Sequence, residues 1–525
     1  MAEDPGMPTI PRLLAEAAAR WKGKPALVAH DGTTSFAELD AHATEVARAF
    51  LAAGLQKGER VALWAPNMWE WVAVAVGAQR IGGVLVPLNT RLRGGEVADV
   101  VRRADARFLI SVGDFLGRYY PDMLRDQAMP NLRRTIVLRG AKNGHESYES
   151  FLQLAAQADE AVFAERVADV SEYDIADIMF TSGTTGAPKG AMFDHRRSIG
   201  GGRAWQYIAR LNAEDRYCCF GPFSHNASYK AGWVAGLLTG ASIYWPEAYD
   251  GASILSLIAD NKITVMPAPP TVWLEAHAHP NRKDWDTSSL RYVSTGSTTV
   301  PIELMRRLKA DMNIPVVSTG YGMTECCGSA THTRDGDDVE RLFYTVGCPL
   351  PGTEIKVVGQ DGHEMPVGEA GEVLIRDDKL LIEYLDNPEA TRSTIDADGW
   401  LHSGDIGAMT SDGYLRITDR LKDMYIVGGF NVYPAEIERQ MSELPGLHYC
   451  SIVGIPDQRL GEVGHAFIVR AAGSTLTEEE VIAWSKQNLA NYKVPRDIEI
   501  VDELPRTETG KVLRRELRET TDAKR

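Results

Sequence analysis

The chain has 525 residues, a formal net charge of −16 and a pI near 5.3. It is too long for one ordinary core and too acidic for a broad nucleic-acid surface, although a local basic pocket for phosphates stays allowed. Its six cysteines, including Cys218-Cys219 and Cys326-Cys327, are too few and scattered for a disulfide scaffold and lack zinc-site spacing. The acidic start, Met1 to Gly6, lacks the basic region of a secretion signal, and no apolar run reaches membrane-spanning length, so a cytoplasmic setting without a transmembrane segment is expected.

In chain order, apolar spacing predicts helices over Leu13 to Trp21 and over Phe36 to Leu51, the second capped by Ser35. Arg60 to Trp64 and Gly83 to Pro87 read as buried strands around a helix from Trp69 to Arg80, the alternation of an α/β fold. The pattern continues through Gly94 to Ala104, Arg107 to Ile110 and Thr135 to Leu138. Asp114 to Arg134 and Arg139 to Asp169 read as irregular helical excursions with charged faces, and Trp64, Trp69 and Trp71 as core anchors.

The apolar approach Ile175 to Phe180 then runs into Thr181-Ser182-Gly183-Thr184-Thr185-Gly186-Ala187-Pro188-Lys189-Gly190. Glycines let backbone N–H groups approach an anion, hydroxyls add donors and Lys189 adds a charge suited to phosphate, so the loop reads as a clamp for a triphosphate tail. The glycine-rich loop of kinases and GTPases is a poorer match, because no hydroxyl residue follows Lys189. A surface turn leading to a helix near His195 is the plain alternative. Further strands end in small-residue loops at Gly296-Ser297 and Gly320-Tyr321, and open parallel sheets place ligands outside such strand ends.

Composition shifts near Gly347 into short alternating runs split by Asp361-Gly362, Asp398-Gly399 and Asp412-Gly413, which predicts a small β subdomain over about 347–421. A second domain is expected from Lys422, with a helix over Pro434 to Met441, strands over Leu447 to Ile455 and Ala466 to Val469, a helix over Glu478 to Leu489 and a charged tail.

Four further islands join the loop: Tyr321-Gly322-Met323-Thr324-Glu325, Asp398 to Asp405, Thr418 to Asp423, and Leu504 to Lys511. Singly, each has an ordinary explanation as a turn carboxylate, a helix cap or a solvated charge. Together they offer a metal carboxylate, a sugar acceptor, phosphate cations and a base platform, the parts of an ATP-dependent acyl activation. In this ordered set, spanning about Phe36 to Lys511, the chain resembles the adenylate-forming superfamily of acyl-CoA synthetases, luciferases and peptide-synthetase adenylation domains.

The resemblance implies a large N-terminal domain of α/β subdomains with a small β subdomain (1–421) plus a mobile C-terminal α+β domain (422–525). It implies ATP, Mg2+ and coenzyme A, and a carboxylic acid converted first to acyl-adenylate and then to acyl-CoA. It places Thr181, Ser182, Gly183, Thr184, Thr185, Gly186 and Lys189 on the β- and γ-phosphates, and Thr324 on the α-phosphate. Glu325 would take the metal, Asp405 and Arg420 the ribose, and Gly296, Ser297, Gly320 and Tyr321 the adenine. Lys511 would be the catalytic lysine of adenylation and Lys422 the hinge, with Gly428, Gly429 and Phe430 along the CoA tunnel. His225, Asn226, Lys230, Trp233 and Gly320 would bound the acyl pocket. The family usually has an aromatic immediately before that histidine, whereas here Ser224 stands there, so a cyclic or oxygenated acid is as compatible as a fatty acid. Locally, Tyr229 to Ala241 resembles actinobacterial ligases for medium-chain or steroid-ring-derived acids. Delivery to an acyl carrier protein and non-catalytic nucleotide binding are the alternative functions, and homodimerisation stays open.

Overall fold

The computed structural model describes residues 8–181, 188–296, 300, 302–420, 423–427, 430–506 and 512–524, the side chains of Asp419, Arg420, Phe430, Asn431, Arg515 and 522–524 excepted. Two seven-stranded sheets form the frame. In the first, Val316–Ser318, Tyr292–Ser294, Val265–Pro267, Arg216–Cys218, Ser242–Tyr244 and Pro25–Ala29 run parallel, and Gly32–Ser35 closes the edge as an antiparallel hairpin. In the second, Ile175–Thr181, Val84–Leu88, Arg60–Trp64, Ala106–Ser111, Arg134–Val137 and Glu146–Ser147 are parallel, with Lys189–Asp194 antiparallel at one edge.

The side-chain alternation of the first sheet explains its two covered faces. Tyr217, Ile243, Val265 and Tyr292 enter a core shared with Leu63, Leu85, Ile110 and Ile178 of the second sheet. Their neighbours Cys218, Tyr244, Met266, Val293 and Val317 enter a separate core with Ile254, Trp273 and Leu304, which come from the helices Gly251–Asn261, Pro270–Ala278 and Ile302–Ala310. The helix Phe36–Ala52 begins with a reciprocal cap: Glu38 N donates to Ser35 Oγ at 3.3 Å, and Ser35 N donates to Glu38 Oε2 at 2.8 Å.

A four-stranded antiparallel sheet follows, made of Glu354–Val358, Gly371–Arg376, Leu401–Met409 and Leu415–Arg420. Beyond it, Tyr425–Val427, Phe430–Val432, Leu447–Asp457, Gly461–Arg470 and Asp497–Ile500 build a last sheet. One face packs Tyr425, Ile437, Ile452, Ala466 and Ile468, and the other packs Val453, Ile455, Phe467 and Leu517. The whole is a large α/β region with a β subdomain, followed by a smaller α/β segment.

Several local readings need correction. Asp114–Phe115 and Arg118–Tyr119 form a small hairpin in place of a helical excursion; Leu116 and Gly117 at its tip have φ of 49° and 72°. Positive φ at both central residues matches the right-handed twist of paired strands, which favours this turn over continued helix. The helix expected near His195 runs over His195–Ala209, capped by Asp194, and between it and Ile175–Thr181 lies a strand not expected from the sequence, Lys189–Asp194, paired antiparallel with Ile175–Thr181. The charged tail is the helix Arg514–Lys524, held by buried Leu517 and by Arg514, whose guanidinium lies 3.1 Å from Asp423 and 2.6 Å from Glu438.

Buried His195 accepts a hydrogen bond from Ile10 N at Nδ1, at 3.3 Å, and burial lowers its pKa to about 3. The folded value lies below the unfolded value of 6.5, so on acidification the unfolded chain takes up a proton that the folded chain refuses. The stability this group contributes is complete above the unfolded pKa and is lost as pH falls below it. Replacing His195 by Gln is expected to flatten the loss of stability between pH 6 and 4.5 by about 1.4 kcal/mol per pH unit. An unchanged slope in denaturant titrations across that range would refute the assignment.

Candidate active site

The parallel strands of the first sheet bring two of the small-residue loops together. Val265–Pro267, Tyr292–Ser294 and Val316–Ser318 are in register at Pro267, Ser294 and Ser318, and Thr295 N donates to Ser318 O at 2.9 Å. A Cβ added to Gly296 would lie 3.6 Å from Thr319 Oγ1 and 3.8 Å from Gly320 O. At Gly320 it would meet His332 Cδ2 at 2.5 Å and Thr331 O at 2.8 Å, so only glycine fits there.

Next along the chain, Tyr321 donates its hydroxyl to Asp405 Oδ2 at 2.6 Å. Burial, with Asp405 beside it, pushes the Tyr321 hydroxyl pKa well up, so it remains a donor. Asp405 is 5% exposed and sits opposite Arg420 in the ladder between Leu401–Met409 and Leu415–Arg420. The aromatic shelf, the carboxylate and the backbone of Arg420 therefore form one connected unit.

Thr324–Cys326 is a single 3-10 turn, followed by Cys327 at a left-handed φ of 57°. Three hydrogen bonds from two segments hold it. Asn226 Nδ2 donates to Thr324 O at 3.2 Å, Leu381 N donates to Glu325 O at 2.8 Å, and Tyr384 donates its hydroxyl to Glu325 Oε1 at 2.7 Å. The Tyr384 segment also lies along the strand Lys189–Asp194: Met192 N donates to Glu383 O at 2.9 Å and Leu385 N to Gly190 O at 2.8 Å. Lys189 begins that strand opposite Thr181, and its ammonium stands 4.9 Å from the Tyr384 ring centre.

The residues expected at the acyl pocket occupy two environments. His225 is exposed, and its Nδ1 accepts from Ala227 N at 3.2 Å. Asn226, Lys230 and Trp233 are buried, with Trp233 stacked on Tyr229 at 4.8 Å. The Lys230 ammonium points inward, 3.1 Å from Asp177 Oδ1, 3.6 Å from Cys327 Sγ and 3.3 Å from the Phe193 ring centre. Asp177 also accepts from Ser198 Oγ at 2.6 Å and from Tyr229 OH at 3.2 Å. Lys230 thus meets no solvent, and any effect it has on a bound acid runs through the position of its helix.

Ser182, Gly183, Thr184, Thr185, Gly186, Ser297, Lys422, Gly428, Gly429 and Lys511 lie outside the described residues, as do the side chains of Arg420 and Phe430. Sequence reasoning missed Tyr384, Cys327 and Asp177. For Asp177 a signal was present, because a carboxylate in the middle of an apolar strand must find a partner. Tyr384 carries no such local mark.

Among the described residues, no group of three or more His, Cys, Asp or Glu is placed to hold a metal ion. A lone carboxylate such as Glu325, with Oε1 engaged by Tyr384, still fits Mg2+, which takes one or two protein carboxylates and completes its shell with phosphate and water.

The chain belongs to the AMP-binding enzyme family: residues 14–385 match that family and residues 436–511 match its C-terminal domain. It is an ATP-dependent carboxylic acid:CoA ligase, forming acyl-adenylate and pyrophosphate and then acyl-CoA and AMP, and requiring Mg2+. The chain is 42% identical over 512 residues to a 3-(7a-methyl-1,5-dioxo-octahydro-1H-inden-4-yl)propanoyl:CoA ligase of Mycobacterium tuberculosis, covering 97% of this chain and 98% of that protein. It is 40% identical over 525 residues to the ligase of the same name from Rhodococcus jostii, covering 99% of each. Among solved structures, the anthranilate CoA ligase AuaEII with anthranoyl-AMP superposes with a TM-score of 0.89 at 28% identity, covering 99% of this chain and 98% of that one. ATP-bound MatB of Rhodopseudomonas palustris superposes with a TM-score of 0.85 at 29% identity, covering 97% and 98%. No helix among the described residues is long and apolar enough to cross a membrane.

The Asp177–Lys230 pair, fully buried at both ends, gives a stability test. Lys230→Met, which strands the carboxylate, should cost about 3–5 kcal/mol, whereas Asp177→Leu combined with Lys230→Met should recover most of that loss. Denaturant titrations of the two variants check this, and a double variant no more stable than Lys230→Met would contradict it.

Proposed function

We propose that the acid is a cyclic, oxygenated one whose carboxylate ends a short side chain, of the kind for which the Mycobacterium tuberculosis and Rhodococcus jostii relatives are named. The observation that carries this is identity above 40% with the first of them across nearly the full length of both chains. Ser224 in place of an aromatic before His225 leaves that wall less bulky, which suits a fused ring better than a chain-sized channel would. Asn226 and Trp233, on the same segment as His225, would set the wall's shape, with Lys230 fixing its helix from behind.

Thr181 to Gly186 and Lys189 would grip the β- and γ-phosphates, Thr324 the α-phosphate, and Asp405 with Arg420 the ribose. Gly296, Ser297, Gly320 and Tyr321 would enclose the adenine, where any side chain at Gly320 would collide with His332. Glu325 would hold Mg2+, which when bound neutralises the phosphate oxygens against which the acid must approach. Lys511 would place its ammonium between the substrate carboxylate and the α-phosphate, lowering the repulsion of the two anions as the carboxylate oxygen attacks phosphorus. That is electrostatic stabilisation, with no proton moved by the lysine. The small domain would then turn about Lys422, withdrawing Lys511 and presenting Gly428, Gly429 and Phe430 to the pantetheine arm of CoA. The protein is proposed to act in the cytoplasm and to be able to homodimerise.

Lys511→Ala is expected to lower acid-dependent pyrophosphate exchange about 10²–10³-fold while CoA transfer from preformed acyl-adenylate persists. Exchange at the wild-type rate would remove Lys511 from its role. A panel of linear, aromatic and fused-ring acids, read by AMP release with and without CoA, tests the substrate. The fused-ring keto acids should show the highest kcat/KM; a medium-chain fatty acid outrunning them would overturn the acid class, and adenylation without CoA turnover would point to a carrier-protein acceptor.

A further inference from the structure

We propose that Tyr384 is a positioning residue for both charged partners of the phosphate site, its hydroxyl fixing the Glu325 carboxylate for the metal and its ring holding the Lys189 ammonium. This rests on the reading that Glu325 takes Mg2+ and Lys189 the phosphates. The hydroxyl donates to Glu325 Oε1 at 2.7 Å, and the Lys189 ammonium lies 4.9 Å from the ring centre.

The backbone makes this contact rigid. Leu381 N donates to Glu325 O at 2.8 Å, Ile382 N to Met192 O at 2.9 Å and Leu385 N to Gly190 O at 2.8 Å. Residues 381–385 are therefore stitched to the turn that carries Glu325 at one end and to the strand that starts at Lys189 at the other. Tyr384 itself is 4% exposed and pairs with Ala191 through an isolated bridge.

The chemistry follows from what each partner lacks. A free carboxylate can rotate and offer either oxygen, whereas one that accepts a hydroxyl at Oε1 keeps Oε2 oriented for a cation. A carboxylate can only accept, so in this contact the phenol hydroxyl is the donor. The ring face, negative in its quadrupole, attracts the ammonium and limits where Lys189 swings before a phosphate arrives.

The test uses the full chain with Mn2+ as an electron paramagnetic resonance probe in the presence of ATP, and ATP binding by calorimetry in excess chelator. Tyr384→Phe should weaken Mn2+ binding about 10-fold or more and leave metal-free ATP affinity unchanged. Tyr384→Leu should add a roughly two- to fivefold loss of metal-free ATP affinity, because Lys189 loses its ring. Tyr384→His retains a donor and should keep Mn2+ affinity closer to wild type than Tyr384→Phe does. Glu325→Gln separates the two layers of argument: if it weakens Mn2+ binding and Tyr384→Phe does not, the role of Tyr384 is overturned. If Glu325→Gln itself leaves Mn2+ binding intact, the metal assignment beneath it falls.

Discussion

A carboxylate attacks a triphosphate only if two anions are held against each other, and this chain carries a net charge of −16. Bulk electrostatics therefore oppose the reaction, and the positive potential must be concentrated locally. The fold answers by running strand ends and edges toward one region. Gly296 and Gly320 abut there, Tyr321 bonds Asp405, and the segment 381–385 joins the turn of Glu325 to the strand of Lys189.

The turn Thr324–Cys327 is the junction of these parts. A single 3-10 turn ending in a left-handed residue has little stability of its own, so its geometry depends on its neighbours. Asn226, Leu381 and Tyr384 supply those restraints from the polar side. From the interior, Lys230 reaches Cys327 while paired with Asp177 in the strand that leads into the phosphate-like loop. A buried ion pair is a poor source of net stability, because desolvation offsets most of the attraction. Its value here is geometric, since it ties the strand, the helix and the turn at fixed distances.

The α/β frame was legible because strands such as Arg60–Trp64 and the capped helix at Ser35 carry their periodicity and caps in contiguous residues. The turns of the β subdomain were legible for the same reason, through Asp-Gly pairs such as Asp361-Gly362. What escaped were features set by pairing across distance. The strand Lys189–Asp194 was hidden because the glycines and proline before it suggest a loop, and only its six-residue ladder with Ile175–Thr181 makes it a strand. Tyr384 could not be found from spacing, because its two partners lie on separate elements. Lys230 read as a polar wall residue because its burial depends on Asp177, more than fifty residues earlier.

The central claim is that this chain activates a carboxylic acid by direct attack on the α-phosphorus of ATP. The most direct measurement is the fate of oxygen-18 in a fused-ring keto acid labelled in its carboxylate and turned over with ATP, Mg2+ and CoA. One labelled oxygen should appear in the phosphate of AMP and none in pyrophosphate. Label in inorganic phosphate, with ADP as the nucleotide product, would contradict the account.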